Sequence, residues 1–239
     1  VINKNLVFSA FAVLFVLIAA LFMFNRWSDK KTQEAIAKIE ARLDAVEKIV
    51  MPPKEEPEVQ KEAFVVPVGD SYVLGPKDAK VSITVFSNFQ CPYCSRADKA
   101  LRELLKDEEL KSTTNIVFKH FPFDRHTNAR PASKATLAAG EQGTDKFWAM
   151  AEKIFANQND LSDKNYQKWA KEIGLDMAKF NAALKTNDKK YDDMINADIK
   201  LGADAAQLRG TPWILVGGWL LDGDIDVPTI KKMIKEKNL

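Results

Sequence analysis

Cys91 and Cys94 are the only two cysteines of the 239-residue chain, and Pro92 and Tyr93 separate them in the run FSNFQCPYC. A C-x-x-C pair just past a strand-like run suits thiol-disulfide exchange. Pro92 fits the first turn of a helix, where its missing N–H is not needed. That puts Cys91 at a helix N-terminus, where unpaired backbone N–H groups and the helix dipole favour the thiolate over the thiol. Cys91 is therefore the expected nucleophile, exposed on the helix end. Cys94, one turn further in, is the more sheltered thiol and suits a resolving role, closing the ring and releasing a mixed disulfide.

Blander uses of the pair fit less well. A structural disulfide across so short a loop gains little, because the entropic benefit grows with loop length. Zinc would need two further ligands; the chain has only His120 and His126, and their spacing from the cysteines matches no common site. Two small, buried, inert thiols are the remaining alternative. A second element lies far away in RGTPWILVGG, 209–218, where Thr211-Pro212 directly precedes an apolar run. An X-Pro bond adopts the cis form at modest cost, which would expose the Thr211 backbone to an extended partner segment. A trans proline that merely opens a strand fits the same residues.

The elements that would hold these residues alternate in type. KVSITVFSNF, 80–89, reads as a central strand, a helix follows from Pro92, and TNIVFKHF, 114–121, is the next strand. Residues 127–208 carry several helical stretches and no strand-like run, an insert of helices. WILV and WLLD flank Gly217-Gly218, a two-glycine hairpin signal, and VPTIKKMIKEKN closes the chain as a helix. The class is α/β, with a compact domain over 64–239. Trp213, Trp219, Leu220 and Leu221 beside the hairpin suit core packing better than an apolar gripping surface.

The N-terminal quarter is different. Leu6 to Phe24 are 19 consecutive uncharged residues, long enough to cross a bilayer. The run ends in Leu21, Phe22, Met23 and Phe24 rather than a small-x-small cleavage site, so an uncleaved signal-anchor over 1–27 is expected. Lys4 lies before the span while Arg26, Lys30 and Lys31 follow it, a bias that points the following domain inward. Disulfide chemistry points it outward, because a reducing cytoplasm would keep the pair reduced. Ile36, Ile39, Leu43, Val46 and Val50 then repeat at heptad spacing within 28–50, a coiled-coil-like helix that could join chains through residues 33–50. An amphipathic helix on a surface is the other reading. Residues 51–63, with three prolines, form a linker. The formal charge of +2, from 35 basic and 33 acidic residues without a basic block, argues against nucleic acid.

In order along the chain, FSNFQCPYC, FKHFPFDRHTNARPASKATLAAGEQGTDKFW and GTPWILVGG resemble the DsbA-like thioredoxin-fold oxidoreductases, in particular their membrane-anchored extracytoplasmic branch. The resemblance covers roughly 64–238. It implies a thioredoxin fold with an inserted helical domain at about 127–208, Cys91 as attacking thiol, Cys94 as resolving thiol, and Thr211-Pro212 as a cis-proline element facing them. Pro92 and Tyr93, between the thiols, contribute to the potential of the pair. One position departs from the family, which commonly carries a glutamate six residues before the first cysteine. Here it is Val85, and the nearby Asn88 and Gln90 cannot act as bases, so a different proton route for Cys94 is expected. His126 matches a histidine at the start of the insert in similar proteins, with packing or capping the expected role, and His120 reads as structural.

The expected activity is disulfide donation to exported proteins. It needs no metal or cofactor, only a redox partner to recharge Cys91 and Cys94, in a membrane-tethered protein of the periplasm or cell exterior. An oligomeric isomerase or reductase is the alternative, and a tethered chaperone or binding module with incidental cysteines is a third reading.

Overall fold

The computed structural model describes residues 34, 36–42, 62–204 and 208–239. The chain divides into two compact units, Val1–Val59 and Gln60–Leu239. Within the first, 36–42 is helical, as the heptad pattern requires of that stretch. The apolar span 6–24, the rest of the heptad segment and nearly all of the linker lie outside the described residues. Among the described residues no helix is long and apolar enough to cross a membrane.

The second unit is a mixed α/β thioredoxin-like fold with a helical insertion. Its elements are β1 (Val73–Leu74), β2 (Val81–Ser87), α1 (Pro92–Leu104), α2 (Leu110–Thr113), β3 (Thr114–His120), α3 (Ala129–Gly140), α4 (Thr144–Ala156), α5 (Asp163–Glu172), α6 (Met177–Thr186), α7 (Asp188–Asp204), β4 (Trp213–Val216), β5 (Trp219–Leu220) and α8 (Val227–Glu236). The strands form one sheet in the order β1-β3-β2-β4-β5. β2 and β3 run parallel, while β4 is antiparallel to β2 with Phe86 opposite Trp213. Nearly every residue of β2 and all of β3 are buried, which explains their near-continuous apolar character.

Period-two alternation sends the strand side chains to two faces. On one face Ile83, Val85, Ile116, Phe118, Ile214 and Val216 join the main core. α1 packs its Cys94, Ala97, Leu101 and Leu104 into that core. Burying Leu101 and Leu104 alone contributes about 2 kcal/mol each. On the other face Phe86, Phe121 and Leu215 form a second cluster, with Ile199 and Leu201 of α7 against it.

The insertion is α3 to α7. α3 is rich in small buried residues, including Ala132, Ala135, Ala138 and Ala139, so neighbouring elements approach it closely. Its last residue shows how close: a Cβ on Gly140 would lie 2.2 Å from the ring of Tyr72, which itself stacks on Phe147 at 4.2 Å between centroids. The hairpin of β4 and β5 turns at Gly217 and Gly218, both at positive φ (56° and 86°), which glycine adopts without a Cβ clash. At the C-terminus, Asp226 caps α8 by accepting the Thr229 N–H at 2.8 Å.

Two elements escape the sequence pattern. β1 pairs only two residues with β3, and α2 is a single turn; both are too short to show a period. Trp213 and Leu220 pack against the second cluster, while Trp219 and Leu221 pack against the main core. These four side chains serve the interior more than a surface patch.

Candidate active site

The site forms where β2 ends and β4 begins. Because β4 is antiparallel to β2, its first residues return beside the last residues of β2, and the chain just before Trp213 arrives next to the chain just after Ser87. That register brings Thr211 and Pro212 to the two cysteines. The Thr211-Pro212 bond is cis. The Cys91 sulfur lies 3.2 Å from the Thr211 carbonyl oxygen, to which it donates only while it is protonated.

Cys91 is the N-cap of α1, with extended backbone angles (φ −85°, ψ 120°), and Pro92 stands in the first turn. The Cys91 carbonyl accepts the N–H groups of Cys94 and Ser95 at 3.0 and 3.3 Å. Both thiols are free. Cys94 is fully buried, and Cys91 is only 6 % accessible rather than openly exposed. The difference from the expected exposure has a physical origin in the loops that close over the helix end. Gln158, in the short 3₁₀ turn after α4, donates from Nε2 to the carbonyls of both Phe89 and Cys91 at 2.8 Å. Gln90 accepts the N–H of Asn128 at 2.6 Å. Beneath them Phe89 stacks on Phe118 and packs against Phe155. Tyr93 is the large side chain that stays open, 61 % accessible, with Arg96 over its ring.

The two thiols titrate in opposite directions. Hydrogen bonding from the Cys94 thiol holds Cys91 down at about 5; desolvation opposes this, and the backbone N–H groups of Cys94 and Tyr93 add to it. The Cys94 thiol is pushed far up, chiefly by burial and then by donating its hydrogen bond to Cys91, although the N–H of Asn88, 3.4 Å from its sulfur, favours the thiolate. Cys91 is therefore a thiolate at neutral pH and Cys94 a thiol. This is the division of labour that disulfide exchange requires.

The histidines stand apart from this chemistry. His120 ends β3 among the rings of Phe89, Phe118 and Phe147, and burial drives its pKa down to about 3, with the Lys119 charge adding to the shift. It is a neutral packing residue at physiological pH. His126 packs edge-on to Phe123, and its backbone carbonyl accepts the Ala129 N–H at the start of α3. Among the described residues no group of three His, Cys, Asp or Glu side chains is placed to hold a metal ion.

Val85, the position that departs from the resemblance, is buried in β2 between Phe118 and Ile214. Sequence reading missed two polar residues, one at the site and one further along α1. Gln158 lies 67 residues from Cys91, and no local spacing announces it. Asp98 follows Cys94 by four residues on α1, the spacing of one helical face, and that signal was available in the sequence.

A thioredoxin-like sheet carrying a buried dithiol at a helix N-terminus defines the class. The chain belongs to the thioredoxin family, with residues 68–236 matched. Among solved structures it is similar to the thiol-disulfide exchange protein alpha-DsbA2 of Wolbachia pipientis, 23 % identical, with a TM-score of 0.62 over 70 % of this chain and 87 % of that one. It is also similar to BdbD of Bacillus subtilis, 21 % identical, with a TM-score of 0.63 over 73 % of this chain and 96 % of that one. Among curated relatives, the Na(+)/H(+) antiporter NhaA 1 of Salinispora arenicola is 34 % identical over 166 residues, which is 68 % of this chain and 24 % of the relative. The chain thus matches about a quarter of the length of such relatives.

Proposed function

We propose that the protein is an extracytoplasmic thiol-disulfide oxidoreductase that donates disulfides to exported proteins. The observation that carries this reading is the pair of opposed thiols at the N-terminus of α1, with Cys91 held as thiolate at about 5 and standing 3.2 Å from the Thr211 carbonyl. A substrate thiolate attacks Cys91 in the Cys91-Cys94 disulfide, and the electron pair of the broken bond passes to Cys94. A second substrate thiolate then attacks the mixed disulfide, the substrate leaves oxidised, and a separate oxidant restores the pair. A stabilised Cys91 thiolate favours the reduced enzyme, which makes the disulfide form the stronger oxidant. Pro92 and Tyr93 set the helix end, and Thr211 and Pro212 present backbone to an extended substrate. The fold shared with alpha-DsbA2 and BdbD supports the reading. Tethering through 6–24 rests on the apolar run alone. No transport role is proposed from the antiporter relatives, because the chain matches only a quarter of their length.

A glutathione titration tests the donor direction. A potential well above thioredoxin's, toward about −120 mV, is expected; a value near about −270 mV overturns donation and favours reduction. The heptad spacing around 36–50 favours a second reading, an oligomeric isomerase working from the reduced pair. Sizing of residues 28–239 checks it, and a monomer at high concentration removes it. Full function with both cysteines replaced by serine would instead support a chaperone or binding module.

A further inference from the structure

Cys94 must lose and regain a proton in every exchange cycle, yet its sulfur is sealed from solvent. The groups around it are the Asn88 N–H, Cys91, and the side chains of Ser87 and Thr211, none of them a base of useful strength at neutral pH. Ser87 is itself buried. It also lines a small cavity of about 10 Å³ between α1, the sheet and α4, together with Val85, Asp98, Arg102, Phe118 and Trp148 among others. That volume is close to what one water molecule needs. Trp148 lines the cavity and its indole Nε1 is buried without a protein partner, so a donor as well as a carboxylate is available to a water there.

We propose that Asp98, acting through the Ser87 hydroxyl and one water in this cavity, takes and returns the proton of the Cys94 thiol. The inference rests on the exchange chemistry proposed above and adds the residue that serves its resolving thiol. Asp98 lies one helical turn beyond Cys94, and its side chain is 11 % accessible. Arg102 donates from Nε to Oδ2 at 2.8 Å, which fixes the carboxylate. Arg102 also reaches the Trp148 carbonyl at 3.0 Å, tying α1 to α4 across the cavity. Burial raises the Asp98 carboxyl above the ordinary carboxylate range, Arg102 counteracts this, and Glu152 of α4 adds to the rise. The faces of β2 and β3 that line the cavity contribute Val85, Ser87, Ile116 and Phe118, none charged.

The step balances in both directions. When a substrate thiolate bonds to Cys91, the Cys91–Cys94 bond breaks, its electron pair goes to the Cys94 sulfur, and the proton arrives from the Asp98 carboxyl by way of water and Ser87. In closure the Cys94 proton passes to the Asp98 carboxylate, the thiolate bonds to Cys91, and the partner sulfur leaves with the electron pair of the mixed disulfide. Asp98 is a positioning residue for the proton and touches neither substrate nor the exchanging bond.

The test uses the full chain with glutathione as probe. A mixed disulfide is formed at Cys91 and its closure by Cys94 is followed by stopped flow from pH 5 to pH 9, in the native protein and in Asp98→Asn, Asp98→Glu and Ser87→Ala. Asp98→Asn is expected to slow closure about 100-fold near neutral pH and to remove the limb of the pH profile that belongs to the carboxylate. Asp98→Glu is expected to restore part of the rate, and Ser87→Ala to slow closure as well. Alkylation of Cys91, which does not use the relay, should keep its native rate in all three. Native closure rate and pH profile in Asp98→Asn overturn the inference; if that variant does not fold, an unchanged profile in Ser87→Ala does so. Failure of glutathione to form a mixed disulfide at Cys91 in the native chain overturns instead the oxidoreductase reading.

Discussion

The Cys91 sulfur stands 3.2 Å from the carbonyl oxygen of Thr211, a residue 120 positions further along the chain. The approach follows from the antiparallel pairing of β2 and β4, which sets Phe86 opposite Trp213 and so returns the chain to the N-terminus of α1. An extended substrate that pairs with the Thr211 backbone would hold its own cysteine against Cys91. Cys94 lies behind, where that substrate cannot reach.

This arrangement predicts opposite outcomes for the two cysteines. Cys94→Ser should accumulate mixed disulfides through Cys91, visible by mass spectrometry of reduced substrate incubated with oxidised glutathione. Cys91→Ser should form none. Equal trapping by both variants would mean that the sheltered thiol is as accessible as the other.

The depressed Cys91 value predicts how reactivity and stability depend on pH. Alkylation of the reduced protein by iodoacetamide should rise through about pH 5, well below the ordinary thiol value of about 8.5. Since the folded value is the lower one, the thiolate's contribution to stability is absent below about pH 5 and grows as the pH rises toward about 8.5. Urea unfolding of the reduced protein at pH 4.5 and pH 7.5 should therefore show a gain that Cys91→Ala lacks.

Gln158 makes a third prediction. Its amide donates to the carbonyls of Phe89 and Cys91, both at 2.8 Å, and so holds the approach to α1 in place. Gln158→Ala should cost about 1–3 kcal/mol in urea unfolding, the worth of two such bonds. The Cys91 titration should also move up toward the ordinary thiol range as the helix end relaxes.

Lys119 is a buried cation at the penultimate position of β3. Its Nζ lies 3.3 Å from Asp198 of α7 and 3.2 Å from the Val68 carbonyl, and Asp198 also accepts the His120 N–H at 2.8 Å. Lys119→Met leaves a buried carboxylate without its cation and should destabilise by about 3–5 kcal/mol. The double variant Lys119→Met, Asp198→Asn should recover part of the loss, measured by chemical denaturation.

Gly140 tests the packing of the insertion against the sheet. A Cβ there meets the Tyr72 ring at 2.2 Å, so Gly140→Ala should cost about 1–3 kcal/mol. Combined with Tyr72→Ala, which removes the obstructing ring, the cost of the added methyl should fall, a coupling readable in a double-mutant cycle.

The residues that carry chemistry were legible in the linear chain wherever a local pattern encodes them. Cys91-Pro92-Tyr93-Cys94 after a β-branched run announces a dithiol at a helix start, since strand period, proline placement and thiol spacing are all short-range properties. The insert of helices and the Gly217-Gly218 turn were readable for the same reason. What the sequence could not decide depends on where distant segments meet. The covering of Cys91 by Gln158, the facing of Thr211, the neutral burial of His120, and the cavity joining Ser87 to Asp98 all follow from sheet register and from α4 packing on α1. Local pattern set the chemical type of each residue. Burial and the hydrogen bonds of tertiary contact decided its protonation, because desolvation and partner geometry exist only once the chain has closed on itself.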